Sequence, residues 1–449
     1  MDRKRIWGWW FFDWASQPYA TLLLTFIFSI YFAEVAQGHF IAQGLSAEAA
    51  GARAQSLWGM GLSVSGVVIA VLAPVLGAIA DTSGRRMPWI WLFSGLYVIG
   101  AAGLWGLVPH DPGLRMALVF FGIGLIGMEF ATIFTNALLP GIAPEDEIGR
   151  VSGSGYAFGY AGGVVALAIM LLLFAENPAT GRTLIGIAPI FGLDAAAREG
   201  TRFVGPLTAI WYVVFMVPFF LWVREPASAG RVRIGPAMRG LWALIRSLRD
   251  RRSLTAWLLS SMFSRDALNA LYGFGGVYAG TVLGWPVFLA GVFGVVSAIA
   301  AAIISWIGGR ADRRFGPKPV IIACTLVLIG VCVVLVGMDR HSIFGIALAE
   351  GSRLPDATLF VLGAAIGGAG GALQAASRTM MVRHTTPERA TEAFGLYALS
   401  GKATAFLAPA TITAVTLISE SQRIGISPLI VMFLLALVLL RWVNPNGEK

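Results

Sequence analysis

Several ionisable residues lie inside long apolar segments of this chain, where a charge is costly and usually has a function. The clearest cases are Asp13, Glu129, the adjacent pair Arg265 and Asp266, and Lys402. A carboxyl group in such surroundings is suited to carrying a proton, because burial favours its neutral form. A cation there is suited to binding a substrate carboxylate. These residue types predict a site for a small polar or zwitterionic solute, with Glu129 or Asp266 as the candidate proton carrier.

Further polar side chains share helical faces with such positions. Asn136 follows Glu129 at i+7, and Arg378 follows Gln374 at i+4, so each pair lies on one side of a helix. The remaining candidate binding residues are accordingly Asn136, Asn269, Gln374 and Arg378.

A structural role is the alternative for these residues, since buried ion pairs can simply fix the register of packed helices. Asp13 lies near enough to the N-terminus to reach the headgroup region. Lys402 has a side chain long enough to extend to the interface or to pair with an acid.

The composition indicates what surrounds these residues. Hydrophobic residues make up 57% of the chain and charged residues 13%, with a mean hydropathy of +0.75, whereas a soluble domain has about 25% charged residues. A spanning helix needs about 20 apolar residues. The qualifying segments are 8–36, 56–80, 88–108, 115–139, 151–175, 204–223, 254–281, 285–308, 318–338, 357–380, 393–418 and 425–442. We therefore predict an all-α membrane protein with twelve transmembrane helices.

The candidate polar residues lie in five of these segments, namely the first, fourth, seventh, tenth and eleventh. The first four of these five segments are spaced three apart. These are equivalent positions if each six-helix half consists of two three-helix units, the nested repeat of secondary transporters. We expect these helices to surround one central cavity.

Two loops of the chain have nearly the same sequence. In each copy an aspartate follows a glycine at i+4, so the glycine permits close helix approach and the aspartate can face a neighbouring helix N-terminus or an arginine. A capped turn would explain one copy, but two equivalent copies predict a duplicated half-protein with a gate on its cytoplasmic side. The gate residues are Gly77, Asp81, Gly84, Arg85 and Arg86 in the first copy, and Gly308, Asp312, Arg313 and Gly316 in the second.

The distribution of Lys and Arg sets the orientation. With the N-terminus inside, the inward segments hold 23 basic residues and the outward segments 8, which places both termini in the cytoplasm. The same rule explains the net charge of +9 without nucleic-acid binding. A basic linker, 224–252, separates an N-terminal half, 1–223, from a C-terminal half, 253–449. Its part 240–252 is either a solvated connection or an amphipathic helix on the anionic inner leaflet.

Residues suited to enzymatic or cofactor chemistry do not stand out. The Cys and His residues lack metal-ligand spacing. The glycine series at 153–163 and 363–371 lie in apolar segments without a preceding strand, which favours helix packing over nucleotide binding. We predict a non-enzymatic protein with no metal and no cofactor. The expected partners are a small-molecule substrate, the lipid bilayer and protons, and the expected state is a monomer.

The duplicated loop resembles the signature cytoplasmic loop of the major facilitator superfamily, although Thr82 stands where a basic residue is usual. Within that superfamily, residues 9–31, 150–163 and 370–405 resemble the fungal vacuolar amino-acid effluxers tied to autophagy and their bacterial relatives. The resemblance covers nearly the whole chain. The seventh segment departs from it, because Arg265 adds a cation where the family typically has a Tyr-Asn-Asp-Gly-like run.

The resemblance implies alternating access by two six-helix halves of the major facilitator fold and efflux of small solutes, amino acids in the fungal branch. It also implies a multi-pass protein of the bacterial inner membrane. Two other functions stay open, namely export of amphipathic drugs or lipids, and a membrane scaffold or sensor without transport.

Overall fold

The computed structural model of the chain describes residues 2–110, 112–225, 230, 232–285 and 287–448. Regular structure in these residues is helical apart from an antiparallel hairpin of two short strands, β1 (Ser342–Ile343) and β2 (Ile346–Ala347). The N-terminal helices are α1 (Arg3–Pro18), α2 (Phe28–Ala42), α3 (Ala47–Ser83), α4 (Met87–Gly103), α5 (Leu114–Leu138), α6 (Ile148–Ile169), α7 (Glu199–Arg202) and α8 (Val204–Trp222). The others are α9 (Ile234–Ser247), α10 (Arg252–Thr281), α11 (Val287–Phe315), α12 (Pro317–Gly337), α13 (Leu354–Arg383), α14 (Ala390–Ala403), α15 (Leu407–Ser419), α16 (Gln422–Gly425) and α17 (Ser427–Leu439).

Eleven helical segments of the described residues are long and apolar enough to cross a membrane. The predicted seventh span corresponds to α10, which is not among the eleven. Its serines, together with Arg265 and Asp266, lower its hydropathy. At 1.5 Å per residue its 30 residues extend about 45 Å, more than the hydrocarbon core of a bilayer. By length, though not by hydropathy, α10 can therefore supply the span that brings the eleven to twelve.

Two of the predicted spans are interrupted. The first consists of α1, a π-helical segment at Tyr19–Phe26, and α2. The eleventh, predicted as continuous over 393–418, is instead two helices, α14 and α15, separated by residues 404–406. Pro409 favours this break, because a proline ring clashes with the carbonyl group four residues earlier and fits best in the first turn of a helix, its position in α15.

Contacts divide the chain into two compact units. The first contains Met1–Leu72, Arg85–Thr135 and Phe158–Ala229, and the second contains Ala73–Gly84, Asn136–Ala157 and Gly230–Lys449. The end of α3 and the start of α6 thus belong to the same unit as the C-terminal helices. The halves predicted at 1–223 and 253–449 are defined by the internal sequence repeat, whereas the two units are defined by contacts between residues. The halves therefore stay a prediction. Residues 226–229 and Arg231 of the predicted linker lie outside the described residues.

Aromatic side chains fill the first unit, and two of them make long-range hydrogen bonds to backbone carbonyl groups. The indole of Trp9 donates to the carbonyl of Thr135 at 2.9 Å, and the hydroxyl of Tyr19 donates to the carbonyl of Phe121 at 2.6 Å. Both donors are buried in apolar surroundings, where an unpaired donor would be costly. These bonds connect α1 and the π-helical segment that follows it to α5.

Close backbone approach characterises the second unit, where α11 packs along α13. A Cβ atom added at Gly367 would lie 1.9 Å from the carbonyl oxygen of Ser297, and one at Gly363 would lie 2.2 Å from the ring of Phe293. Only glycine allows this spacing. The prediction that the glycine series serves helix packing is confirmed at these positions.

The linker forms the amphipathic helix α9, which begins at Ile234 rather than at Gly240. Its apolar residues Leu241 and Leu244 are buried against Ala78 and Leu396. Part of the apolar face therefore packs on protein, whereas Trp242 and Ile234 are 67% and 64% exposed, and contact of the helix with the inner leaflet stays a prediction.

Candidate functional site

Arg265 and Asp266 of α10 lie at the break between α14 and α15. The guanidinium of Arg265 donates to the carbonyl oxygen of Tyr397 at 2.8 Å and lies 4.3 Å from the centre of its ring. The carboxylate of Asp266 is buried and accepts from the backbone N–H of Ala408 at 3.1 Å. Ala408 is the second residue of α15, so Asp266 complements the positive end of that helix.

Gly401 makes room for the arginine. A Cβ atom at this position would lie 2.4 Å from the central carbon of the Arg265 guanidinium. A residue with a side chain would displace the guanidinium, so Gly401 positions the cation beside the break.

The other predicted binding residues differ in exposure. Lys402, the penultimate residue of α14, and Gln374 on α13 are half-buried, whereas Asn269, one helical turn beyond Arg265 on α10, is exposed. The buried hydroxyl of Thr404, inside the break, has no hydrogen-bond partner among the described residues. The sequence analysis did not select Thr404. Pro409 is the one local sequence signal for the break.

The arrangement around the break is suited to binding a zwitterion. Two cationic side chains, Arg265 and Lys402, come from α10 and from the end of α14, while the break leaves backbone groups of residues 404–406 outside regular helix. Interrupted helices of this kind supply polar backbone groups at membrane depth in transporters. A carboxylate can contact the cations, and an ammonium group can contact the second lone pair of a carbonyl oxygen such as that of Thr404, which already accepts from the backbone N–H of Leu407 at 2.8 Å.

Arg378 of α13 lies buried among residues from the end of α5 and the start of α6. Its guanidinium donates to the hydroxyl and the carbonyl oxygen of Ser152, at 2.9 and 2.8 Å, and to the amide oxygen of Asn136 at 3.1 Å. It also lies 4.3 Å from the ring centre of Tyr156. The structure thus brings together two predicted residues, Asn136 and Arg378, in a set of hydrogen bonds that joins α13 to α5 and α6.

Asp13 and Glu129 belong to the first unit, whereas the residues described above belong to the second. Both side chains are half-buried. Asp13 lies against α6, since a Cβ atom at Gly159 would be 3.2 Å from the Cβ atom of Asp13. Below Glu129 on the same face, the hydroxyl of Thr132 donates to the carbonyl oxygen of Met128 at 2.8 Å.

In the first loop copy, Asp81 accepts hydrogen bonds from the first turn of α14. The backbone N–H groups of Thr391 and Glu392 donate to its carboxylate at 3.3 and 2.8 Å. Amides in the first turn of a helix are the ones that a capping side chain satisfies. Gly77 permits the approach, since a Cβ atom there would lie 2.5 Å from the carbonyl oxygen of Thr391.

In the second copy, Asp312 packs against the first turn of α6, but neither of its carboxylate oxygens has a hydrogen-bond partner among the described residues. It is buried, and a Cβ atom at Gly149 would lie 2.5 Å from its carboxyl carbon. Gly308 and its neighbour Gly309 are tightly packed: a Cβ atom at Gly308 would lie 2.8 Å from the Cβ atom of Ala372. Arg313 forms a 2.5 Å ion pair with Glu147, just before α6.

The glycines that end the two loops have a backbone that other residues rarely adopt. Gly84 has a φ of 62° and Gly316 a φ of 85°, which only glycine tolerates without strain. Of the basic residues beside Gly84, Arg85 is exposed and Arg86 half-buried. The backbone N–H of Arg86 donates to the carboxylate of Glu225 at 2.8 Å, a partner that carries no local sequence signal.

The sequence is similar throughout to known transporters. The profile of a family described as vacuole effluxer Atg22 like matches residues 1–448. An uncharacterised MFS-type transporter of Bacillus subtilis (strain 168), YxiO, is 24% identical over 443 residues, which cover 97% of this chain and 94% of that protein. Autophagy-related protein 22 of Coccidioides immitis (strain RS) is 24% identical over 293 residues, 60% of this chain and 44% of that protein.

Solved structures of the major facilitator superfamily have the same fold. The proton:xylose symporter XylE, bound to 6-bromo-6-deoxy-D-glucose, matches with a TM-score of 0.72 at 13% identity, covering 98% of this chain and 96% of that one. FucP in its outward conformation matches with a TM-score of 0.65 at 13% identity, covering 100% and 99%. The predicted major facilitator fold is confirmed, and so is the prediction that the protein is a transporter rather than an enzyme.

Proposed function

The chain belongs to the family of vacuole effluxer Atg22-like transporters within the major facilitator superfamily, and from this membership we propose that it exports a small zwitterionic solute by alternating access. Amino acids are the proposed substrate class, and protons the coupling ion. The proposed location is a bacterial inner membrane, with both termini in the cytoplasm.

The contacts of the two loop copies are the observation that carries alternating access. Asp81 ends a span of the predicted N-terminal half and contacts the start of α14 in the C-terminal half. Asp312 has the converse position, since it ends a C-terminal span and contacts the start of α6. Contacts in both directions, through hydrogen bonds at Asp81 and through packing at Asp312, support a gate that holds the cytoplasmic side closed and breaks when the transporter opens inward.

The cations at the break between α14 and α15 support the substrate class. Arg265 lies on α10 at the depth of the break, and Lys402 ends α14. We assign the substrate carboxylate to these two side chains. We assign Gln374 of α13 and Asn269 of α10 to the same substrate site as neutral polar groups.

Proton coupling is assigned to Glu129, with Asp13 as a second carboxyl group of the first unit and Asp266 as the alternative. Glu129 is a half-buried carboxyl group in mid-span of α5, and an ionisable residue at such a position in a transporter is suited to a proton relay.

Proteoliposomes carrying the purified protein test this function. We expect counterflow of a labelled amino acid from a panel of neutral, acidic and basic ones, and accumulation driven by an imposed pH gradient. Glu129→Gln should lose gradient-driven transport and keep counterflow, whereas Glu48→Gln, at an exposed position, should behave like the wild type. Absence of counterflow for every amino acid would disprove the substrate class. Undiminished gradient-driven transport in Glu129→Gln would disprove the role of that residue alone.

A further inference from the structure

Four arginines line an open cavity at the end of α11, and of these only Arg313 belongs to the predicted gate. This arginine pocket has a volume of about 580 Å³ and is lined by Arg150, Arg310, Arg313 and Arg314. Three of them lie on the last turns of α11 at i, i+3 and i+4, which places them on one helical face. The fourth is the third residue of α6, so the pocket joins two helices.

Positive charge dominates the lining of the arginine pocket. Glu147 is in direct contact with it, paired through one oxygen with Arg313 at 2.5 Å and through the other with Arg150. One carboxylate thus serves two of the four guanidinium groups. Arg310 instead lies over the ring of Trp306, 3.3 Å from its centre. Clustered guanidinium groups of this kind match the several oxygen atoms of a phosphate group.

A stripe of exposed apolar side chains leads along α11 to the pocket. The stripe follows helical spacing and ends at Arg310, and its members are 45 to 53% exposed: Ile299, Ile303, Trp306 and Ile307. Phe315, at the other side of the pocket, is 63% exposed. Exposed tryptophan next to arginine at the end of a span is typical of the membrane–water interface. The stripe offers a track for acyl chains, and the pocket offers a place for the headgroup.

We propose that the arginine pocket binds the phosphate of an anionic phospholipid whose acyl chains lie along the Ile299–Ile307 stripe. The phosphate bridges Arg150 on α6 and Arg310 on α11, the same two helices that meet at Asp312 and Gly149. Bound lipid therefore stabilises the closed arrangement of this gate. The proposal rests on the pocket and the stripe, and it is independent of which solute is transported.

Native mass spectrometry of the purified full-length protein tests the proposal with phosphatidylglycerol, with zwitterionic phosphatidylcholine and with inorganic phosphate. We expect preferential retention of phosphatidylglycerol and a higher melting temperature in its presence. The double variant Arg310→Gln/Arg314→Gln should bind it about 25-fold more weakly, roughly fivefold for each arginine at an anionic headgroup. The matched control Arg239→Gln/Arg246→Gln removes two exposed arginines from α9 and should bind like the wild type.

Three results would overturn this assignment. Equal weakening in both double variants would mean general attraction to net charge. Equal retention of phosphatidylcholine would remove the role of the anionic headgroup. A melting-temperature increase with inorganic phosphate equal to that with phosphatidylglycerol would identify a site for soluble phosphate instead of lipid. If Arg310→Gln/Arg314→Gln does not fold, the lipid preference of the wild type and the phosphate comparison still decide between these outcomes.

Discussion

The carboxylate of Asp81, in the last turn of α3, accepts a hydrogen bond of 2.8 Å from the backbone N–H of Glu392, in the first turn of α14. The two residues are 311 positions apart in the sequence. A single side chain thus caps the buried start of a helix from the other predicted half. The strength of this contact is that of a helix cap, which a transporter can break in every cycle.

Removal of the cap should loosen the first turn of α14. Asp81→Ala takes away the acceptor for two amides, and loss of a cap costs about 1 kcal/mol, which corresponds to about fivefold faster opening. We expect hydrogen–deuterium exchange of the peptide containing Thr391 and Glu392 to rise by that factor. Asp146→Ala, which removes an exposed carboxylate, is the control. Unchanged exchange in Asp81→Ala would show that the cap does not hold this turn.

A methyl group at Gly309 should weaken the contact between α11 and α6. The added Cβ atom would lie 2.8 Å from the Cα atom of Gly153 and 2.9 Å from the carbonyl oxygen of Gly149. Overpacking of this kind costs about 1–3 kcal/mol, so Gly309→Ala should lower the melting temperature in detergent. Gly330→Ala on α12 meets nothing within 4 Å and should be neutral or slightly stabilising, because alanine favours helix. An equal effect of the two substitutions would refute the packing argument.

The sequence was sufficient for the fold because apolar length and the duplicated loop are strong signals. It also located the costly charges, including Arg265, Asp266 and Arg378, since any ionisable residue in an apolar segment is conspicuous. Their partners could not be predicted. Asp266 bonds the backbone N–H of Ala408, and Arg265 bonds the carbonyl of Tyr397, and backbone atoms have no residue-type signature.

The linker shows a different limit of sequence reasoning. The amphipathic pattern of α9 is satisfied equally by a membrane surface and by a protein surface. The choice depends on whether an apolar surface lies within reach, here that of Ala78 and Leu396. Such a surface forms only after distant segments have packed, so the pattern predicted the helix but not its partner.

Arg378 should not tolerate replacement by lysine. Its guanidinium donates to Ser152 and to Asn136 at once, and a single ammonium group cannot reproduce this fork. Loss of a hydrogen bond to a charged group costs about 1.5–3 kcal/mol. We expect Arg378→Lys to lower the melting temperature and Arg353→Lys, at an exposed position, to leave it unchanged. A stable Arg378→Lys protein would mean that the positive charge alone, without the geometry of the guanidinium, joins α13 to α5 and α6.

His384, between α13 and α14, is buried beside the start of α10. Its Nδ1–H donates to the carbonyl oxygen of Met380 at 2.9 Å, so its Nε2 accepts from the hydroxyl of Ser253 at 2.8 Å. Burial lowers the pKa of His384, and the charge of Arg251 lowers it further, against the opposing effects of the Met380 bond and of Glu448. The imidazole is therefore held neutral.

This lowered pKa predicts a loss of stability in acid. The unfolded chain, in which the histidine has its ordinary pKa near 6.5, binds more protons than the folded one below that pH, so folding stability falls as the pH drops below about 6.5. The slope contributed by one histidine is at most about 1.4 kcal/mol per pH unit. Melting temperatures measured from pH 7.5 to 5 should fall less steeply in His384→Gln than in the wild type. His341→Gln, at an exposed position, should keep the wild-type slope, and an unaltered slope in His384→Gln would assign the acid sensitivity to other groups.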